Sequence, residues 1–499
     1  MAKAIQVCGT ASGVGKSIIV AALCRVFYRR GYRVAPFKAQ NMALNSFVTA
    51  DGKEIGRAQA EQAAACGISP ACDMNPILLK PCGDRRSQVI VCGRPWANMS
   101  AAEYYRRKEG LFGKVTACYN RLAAKYDLVI IEGAGSPAEV NLKKWDIVNM
   151  RMAEYARAAV ILVGDIDRGG VYASLVGTME LLDSREREMV RGFIINKFRG
   201  DKRLLKGGLN FLEKKTGKKV LGVVPYIRDV GIAEEDSLAL ENEGRRIKDA
   251  GQTTINIAVV KLPHISNFTD FDALAREAGV RLYYACRPQE LDGADVIIIP
   301  GTKNTVADLR YLRQSGLAGQ ILSAIRRHPS STILIGVCGG FQMLGDVLKD
   351  PRAIESRQGM VRGLGLFKME TVLDKDKKTY LVRARDLLYN SPGSLRGYEI
   401  HHGRSLCRGG KAAFRITRRG ARSVAVSDGL ADGDKRVWGT YIHGLFDNRA
   451  FRGRFLDYVL GLKGSFRHRL PGAQDNADRR FDRLAEIIEK NLDMDLCLR

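Results

Sequence analysis

The sequence predicts an α/β protein of two domains in tandem. Short β-branched runs alternate with longer amphipathic stretches along the chain, the pattern of parallel sheets covered by helices. One polar stretch without strand character, "LENEGRRIKDAGQTT" from Leu240 to Thr254, interrupts that alternation. Each half also carries a glycine-rich turn between an apolar run and a helix, at "GTASGVGKS" and at "GVCGGFQMLG". The expected plan is a first domain over residues 1–239, a linker at 240–254, a second domain over 255–450 and a helical C-terminal segment at 451–499. A chain of 499 residues is too long for one ordinary core, which agrees with this division.

In order, the strands of the first half are "AIQVCG", "RVAPFKA", "YDLVIIEGAG", "AAVILVGDID", "RGFIINKF" and "KVLGVVPY". A second series follows with "INIAVVKLP", "ADVIIIPGT", "STILIGVCG" and "RVWGTYIHG". Near the end, "RRFDRLAEIIEKNLDM" sets Phe481, Leu484, Ile487, Ile488 and Leu492 on one helical face, as a docking helix would.

Composition narrows the function classes. No run approaches eighteen apolar residues and the start "MAKAIQVCGT" does not read as a signal peptide, so a soluble, cytoplasmic chain without a membrane partner is expected. The 11 cysteines include no C-x-x-C pair, which points to reduced thiols rather than a zinc site. A net charge of +26 attracts anions without choosing among them. The Lys and Arg are dispersed and no base-reading motif is present, so no nucleic-acid partner is expected.

The first glycine-rich turn, Gly9-Thr10-Ala11-Ser12-Gly13-Val14-Gly15-Lys16-Ser17, joins a strand to a helix. Backbone N–H groups over Gly9, Thr10, Gly13 and Gly15 and the positive helix end suit phosphate; Lys16 suits the β/γ-phosphates and Ser17 suits Mg²⁺. The pattern is displaced, because Thr10 stands where the strict motif has glycine and Gly9 lies one residue earlier. Glu132, ending an apolar strand, is the expected acidic partner of the metal, with Asp51 or Glu54 as a candidate second acid. Asn196, at another strand end, suits the base edge of a nucleotide or a simple turn.

The second turn presents Cys338 as G-x-C-x-G, the cysteine form of a nucleophile elbow. Gly336 and Gly340 permit the tight turn, and the N–H of Gly339 faces the oxyanion that forms when sulfur attacks a carbonyl. Such a thiol needs a base. Among 6 histidines His443 ends a strand at "YIHG" and is preferred, while His401 and His402 compete; His264, His328 and His468 read as core or surface.

These pieces, together with "PFKAQNMALNS", "EIGRAQAEQA", "MNPILLKP", "EGAGSPAEVNL", "GDIDRGGVYASLVGT", "PGTKNT" and "GYEIHHG", resemble the cobyric acid synthase (glutamine-hydrolysing) family of cobalamin biosynthesis over nearly the whole chain. The resemblance implies a P-loop domain of dethiobiotin synthetase type followed by a class I glutamine amidotransferase-like α/β domain. It implies ATP, Mg²⁺ and glutamine, no tightly bound prosthetic group, and amidation of adenosylcobyrinic acid a,c-diamide at side chains b, d, e and g. The mechanism so implied puts Lys38 near the phosphates or substrate and Arg168 on a corrin carboxylate, a structural ion pair being the other reading of each, and a backbone donor near Gly301 at the oxyanion. Class I amidotransferases usually carry Glu two residues after the catalytic His; Leu445 stands there, which leaves a Cys338–His443 dyad or another orienting group such as Glu399. Two other readings stay open: a cobyrinic acid a,c-diamide synthase-like amidation, and a partitioning-type P-loop ATPase on nucleic acid or membrane, which would give the elbow no role.

Overall fold

The computed structural model describes residues 2–83, 86–227, 255–327, 332–356, 359–464 and 477–498. The expected linker at 240–254, His328 and His468 lie outside the described residues.

In the first domain the main sheet and its site-forming helices run β1 (Lys3–Gly9), α1 (Lys16–Arg29), β2 (Val34–Phe37), α2 (Arg57–Ala65), β3 (Leu128–Glu132), β4 (Ala159–Asp165), β5 (Val190–Phe198) and β6 (Lys219–Pro225). The six strands are parallel in the order β6-β5-β4-β1-β3-β2. Alternation along β1 explains the two layers: Ile5 and Val7 enter the core shared with α1, while Ala4 and Cys8 enter the core on the opposite face.

The second domain contributes β7 (Ile255–Val260), β8 (Val280–Ala285), β9 (Val296–Ile299), β10 (Ile333–Val337), α3 (Gly339–Met343), β11 (Leu395–His401), β12 (Val437–Thr440) and α4 (Arg449–Leu462). Strands β8-β7-β9-β10-β12 form a parallel sheet, closed by the antiparallel Leu430–Ala431. A separate antiparallel sheet holds β11 between Lys378–Asp386 and Ile442–His443. Both glycine-rich turns therefore leave the carboxyl end of a parallel strand, where open α/β sheets bind ligands.

The domains meet through a hairpin of the first, Ser46–Val48 with Glu54–Gly56. Val48 packs with Tyr398 and Ile400 of β11, and the Phe47 and Tyr398 rings lie 5.8 Å apart.

The C-terminal segment is divided between the domains. Phe451, Phe455, Leu456 and Val459 of α4 complete the core of the second domain. The following helix, α5 (Ala477–Asn491), returns to the first domain and buries Phe481, Leu484, Ala485 and Ile488 against Ile19, Leu23 and Phe27 of α1. Arg25 of α1 holds Asp482 at 2.8 Å and Asp478 at 3.2 Å. Ile487, expected on the apolar face, is only partly buried; Ala485 takes the interior position. The contact with β6 is close enough that a Cβ on Gly222 would fall 2.0 Å from the Asn491 carbonyl oxygen.

Phe481→Ala should accordingly weaken the first domain by about 3–5 kcal/mol, the usual cost of emptying a buried aromatic site. Hydrogen exchange checks this: amides of α1 and β6 should lose protection while those of β7 and β10 keep theirs.

Candidate active site

β10 is buried throughout and ends at Cys338, whose φ of 53° and ψ of −107° are unusual for a residue with a side chain. The turn has no spare volume. A Cβ on Gly340 would lie 2.0 Å from the Ile299 carbonyl oxygen, and one on Gly336 would lie 2.8 Å from that of Gly340. Glycine at both positions is what lets α3 start directly beneath the sulfur.

Strand pairing delivers the base. Val337 pairs in register with Thr440, and the Cys338 N–H donates to the Thr440 carbonyl at 2.8 Å, so β12 ends beside the elbow. The chain then reaches His443, which is buried beside the elbow, while the Cys338 thiol itself donates to the Ile400 carbonyl oxygen at 3.5 Å. On its other side His443 Nδ1–H donates to Asp270 Oδ2 at 2.6 Å, while Asp270 Oδ1 accepts from the Gly444 N–H at 3.0 Å. Tyr398 stacks on the imidazole with centroids 5.3 Å apart. Burial opposes the charged ring, but Asp270 and Cys338 outweigh it and push the His443 pKa up to about 10. Held as a cation by Asp270, the imidazole sets positive charge beside the Cys338 sulfur, the kind of neighbour that activates a nucleophilic cysteine.

The carboxylate that meets His443 is therefore Asp270, not Glu399. Glu399 is engaged by Arg419 at 2.7 and 2.8 Å and lies 3.8 Å from His401 Nε2. His401 stacks on Tyr441, and His402 Nδ1 lies 3.0 Å from the Asp374 carbonyl oxygen. The position two residues after His443 belongs to Leu445, a core residue. Sequence spacing missed Asp270 because it precedes His443 by 173 residues. Its one local signal is the turn after β7, where Asn267 has a φ of 53° just ahead of the acid.

Around the sulfur, a Cβ on Gly301 would lie 3.2 Å from His443 Cε1, and one on Gly339 would lie 3.2 Å from the Thr302 nitrogen. The backbones of Gly339 and Gly301-Thr302 thus flank the thiol, with Thr302 the nitrogen nearest to Gly339. Cys338 opens on a cavity of about 610 Å³ walled by both domains, with Gln342, Lys303, Glu355 and Lys377 from the second and Arg86 and Gln88 from the first. Burial brings Lys303 down to about 7 and lifts Glu355 to about 7, although the Thr305 N–H donates to Glu355 at 2.6 Å. Lys303 stands within the quoted "PGTKNT" without a role assigned to it there, and neither Glu355 nor Lys377 stands in a turn or spacing that would single it out in the sequence.

In the first domain Gly13 and Gly15 adopt φ of 71° and 97° ahead of α1. The displaced glycine has a steric reason. A Cβ on Gly9 would lie 2.6 Å from Val14 and 2.9 Å from Lys16 Nζ, whereas Thr10 only has to give its N–H to the Val163 carbonyl. Lys16 Nζ donates to the carbonyls of Ala11 and Gly135 at 2.9 and 3.1 Å. Glu132 collects Ser17 Oγ at 2.8 Å, Lys38 Nζ at 2.8 Å and Gln62 Nε2 at 2.5 Å. Burial alone would raise its pKa, but Lys38 and these donors hold it below the usual carboxylate range. Two oxygen donors side by side, Ser17 and Glu132, are the type a magnesium ion takes.

Asn196 gives its amide N–H to the Val14 carbonyl at 2.8 Å, bracing the loop from β5. Lys197, not singled out in the sequence, adds a second brace to Gly13 at 2.6 Å and an ion pair with Asp165 at 2.9 Å. Arg168 lies exposed beside Gly13. Glu54 is not a metal acid: it is 1 % exposed, paired with Lys80 of its own domain and, at 2.5 Å, with Lys377 of the other. Those two cations outweigh the burial that would otherwise raise its pKa and hold it well below the carboxylate range. Asp51 is exposed and pairs with Lys53 at 2.8 Å. Among the described residues no cluster of three His, Cys, Asp or Glu is placed to hold a metal, and no helix is long and apolar enough to cross a membrane.

Comparison with known proteins agrees with this geometry. Residues 5–240 match the family described as CobQ/CobB/MinD/ParA nucleotide binding domain, and residues 256–451 match the CobB/CobQ-like glutamine amidotransferase domain. Over 99% of its length the chain is 49% identical to the cobyric acid synthase of Moorella thermoacetica, covering 96% of that protein. It is 48% identical over 99% of its length to those of Dehalococcoides mccartyi strain CBDB1 and Caldanaerobacter subterraneus subsp. tengcongensis, covering 98% of each.

Asp270→Asn should cut glutamate release from glutamine by about 10²–10⁴-fold, the range seen when a triad acid loses its charge. Removing that negative charge lowers the imidazolium pKa, so the alkaline limb of the rate profile should move toward neutral pH. Glu399→Gln should leave the limb where it is.

Proposed function

The chain belongs to the cobyric acid synthase family, and we propose that this glutamine-dependent ligase amidates the b, d, e and g carboxylates of adenosylcobyrinic acid a,c-diamide to give adenosylcobyric acid. The observation that carries the reading is that one chain holds both half-sites such a reaction needs. In support of it, His443 is bonded to Asp270 beside Cys338, and Lys16, Ser17 and Glu132 gather at the glycine-rich loop.

In the second domain the Cys338 thiolate attacks the side-chain carbonyl carbon of glutamine, with N–H groups of Gly339 and Thr302 facing the oxyanion. His443 gives its proton to the departing nitrogen, the C–N bond breaks, and ammonia leaves a thioester. Water, deprotonated by His443, then attacks the thioester, and glutamate and the thiolate separate.

In the first domain Lys16, Lys38 and the loop N–H groups orient ATP so that a substrate carboxylate oxygen takes the γ-phosphoryl and ADP departs. Ser17 and Glu132 would hold magnesium, which when bound neutralises charge on the phosphates. Ammonia adds to the acyl phosphate carbon, loses a proton and expels phosphate, leaving the amide. Arg168, exposed beside Gly13, meets an anionic group of the acceptor.

Cys338→Ala should abolish amidation driven by glutamine yet retain amidation driven by ammonium, whereas Lys16→Ala should abolish both. Mass analysis of the corrinoid product reads this directly, and wild-type protein should show four successive acid-to-amide changes. Product formation by Cys338→Ala with glutamine alone would remove the thiol from the mechanism.

A further inference from the structure

The two half-sites lie in different domains, so ammonia released at Cys338 has to reach the phosphate loop. At the point where the domains meet, the Ser46 N–H donates to Asn267 Oδ1 at 3.0 Å, and Asn267 Nδ2 lies 3.4 Å from both ring nitrogens of His443. The neighbouring residue, Asn45, is 1 % exposed, and neither atom of its side-chain amide has a hydrogen-bond partner.

The Asn45 carbonyl accepts the N–H of Arg57 at 3.2 Å, which sets this amide at the start of α2. Gln59 and Gln62 follow on that helix, three residues apart and hence on one face. Gln59 Oε1 accepts from Asn41 at 2.8 Å while its Nε2 has no partner; Gln62 Nε2 donates to Glu132 while its Oε1 has none. Both side chains are buried.

Unpaired buried amide atoms are rare, because each forgoes a hydrogen bond it would make in water. Here four such atoms, Asn45 Nδ2 and Oδ1, Gln59 Nε2 and Gln62 Oε1, belong to a run that starts next to Ser46, bonded to Asn267 beside His443, and finishes at Gln62, bonded to Glu132. Gly56 is needed beside them, since a Cβ there would lie 2.5 Å from both Asn41 Nδ2 and Gln59 Oε1 and push that hydrogen-bonded pair apart.

We propose that Asn45, Gln59 and Gln62 form the path by which ammonia crosses from the thiol site to the acyl phosphate. The inference rests on the function proposed above and names the side chains that carry its transfer step. Ammonia donates through its N–H bonds and accepts through its lone pair, so it exchanges hydrogen bonds with carboxamide oxygens and N–H groups in turn. A carboxamide is neutral and does not protonate it, and a row of them therefore delivers the nucleophilic form. The path ends at Gln62, which is bonded to the same Glu132 that lies beside Ser17 and Lys38.

The test compares three rates in the full-length chain: glutamate release, amidation driven by glutamine and amidation driven by ammonium. Gln59→Leu and Asn45→Leu should lower the ratio of amide formed to glutamine hydrolysed by about fivefold or more, the factor that one lost hydrogen bond represents. Ammonium-driven amidation should stay within about twofold of wild type, a change within the value of a fraction of one such bond. If a leucine variant does not fold, Asn45→Ala is measured in the same three assays with the same expectation. An unchanged ratio would overturn the path, as would an equal fall in the glutamine-driven and ammonium-driven rates. Failure of wild-type protein to make amide from ammonium and ATP would instead overturn the proposed reaction itself.

Discussion

One buried carboxylate fixes how the two domains meet. Glu54 is removed from water, and an isolated charge in that position would cost several kcal/mol. It is tolerated because each domain brings a lysine to it, Lys80 from one side and Lys377 from the other. Sliding the domains apart would leave Glu54 with Lys80 alone and take Lys377 from its partner, so the docked position is favoured. Lys80 also reaches Ser46 Oγ, and the Ser46 N–H is bonded to Asn267 beside His443. The clasp that joins the domains thus continues into the hydrogen-bond network around the catalytic imidazole. A cavity walled by both domains at Cys338 follows from the same contact.

The chemistry divides along the same line. Each half-site grows from the carboxyl end of a parallel strand, but the two solve opposite electrostatic problems. The phosphate loop has to receive negative charge, and it offers backbone N–H groups, Lys16 and Lys38. The thiol site has to favour negative charge on sulfur, and beside Cys338 it places His443, which is bonded to Asp270. Their separation keeps the positively charged loop from competing for the thiolate. It also makes the neutral carriage of ammonia between them a structural requirement.

What the sequence made legible was local. The two glycine-rich turns, the apolar strands before them and His443 at a strand end are set by neighbours a few residues away, and spacing reveals them. Asp270 escaped because the expected acid was sought beside His443, while the fold supplies it from the turn after the first strand of the sheet. Glu54, read as a candidate second metal acid, was hard to place for a related reason: its lysine partners lie 26 residues on in the same domain and in the other domain, out of reach of local spacing. The division of the C-terminal helices was hidden in the same way, since an amphipathic face at Phe481 and Leu484 states that a partner exists but not that it is α1, hundreds of residues earlier. Beyond Lys38 and Glu54, the segments "PFKAQNMALNS" and "EIGRAQAEQA" were distinctive as motifs without an assigned role in the local chemistry. Asn45 and Gln59 become interpretable only once the domains are docked.

The central claim is that nitrogen passes from Cys338 to the acceptor without leaving the protein. It is tested most directly by giving wild-type protein amide-¹⁵N glutamine, ATP and acceptor near neutral pH, in a large excess of unlabelled ammonium. Internal transfer predicts product amides labelled far above the share of ¹⁵N in the bulk ammonium pool. Label diluted to the bulk share would show that ammonia equilibrates with solvent, and would contradict the account.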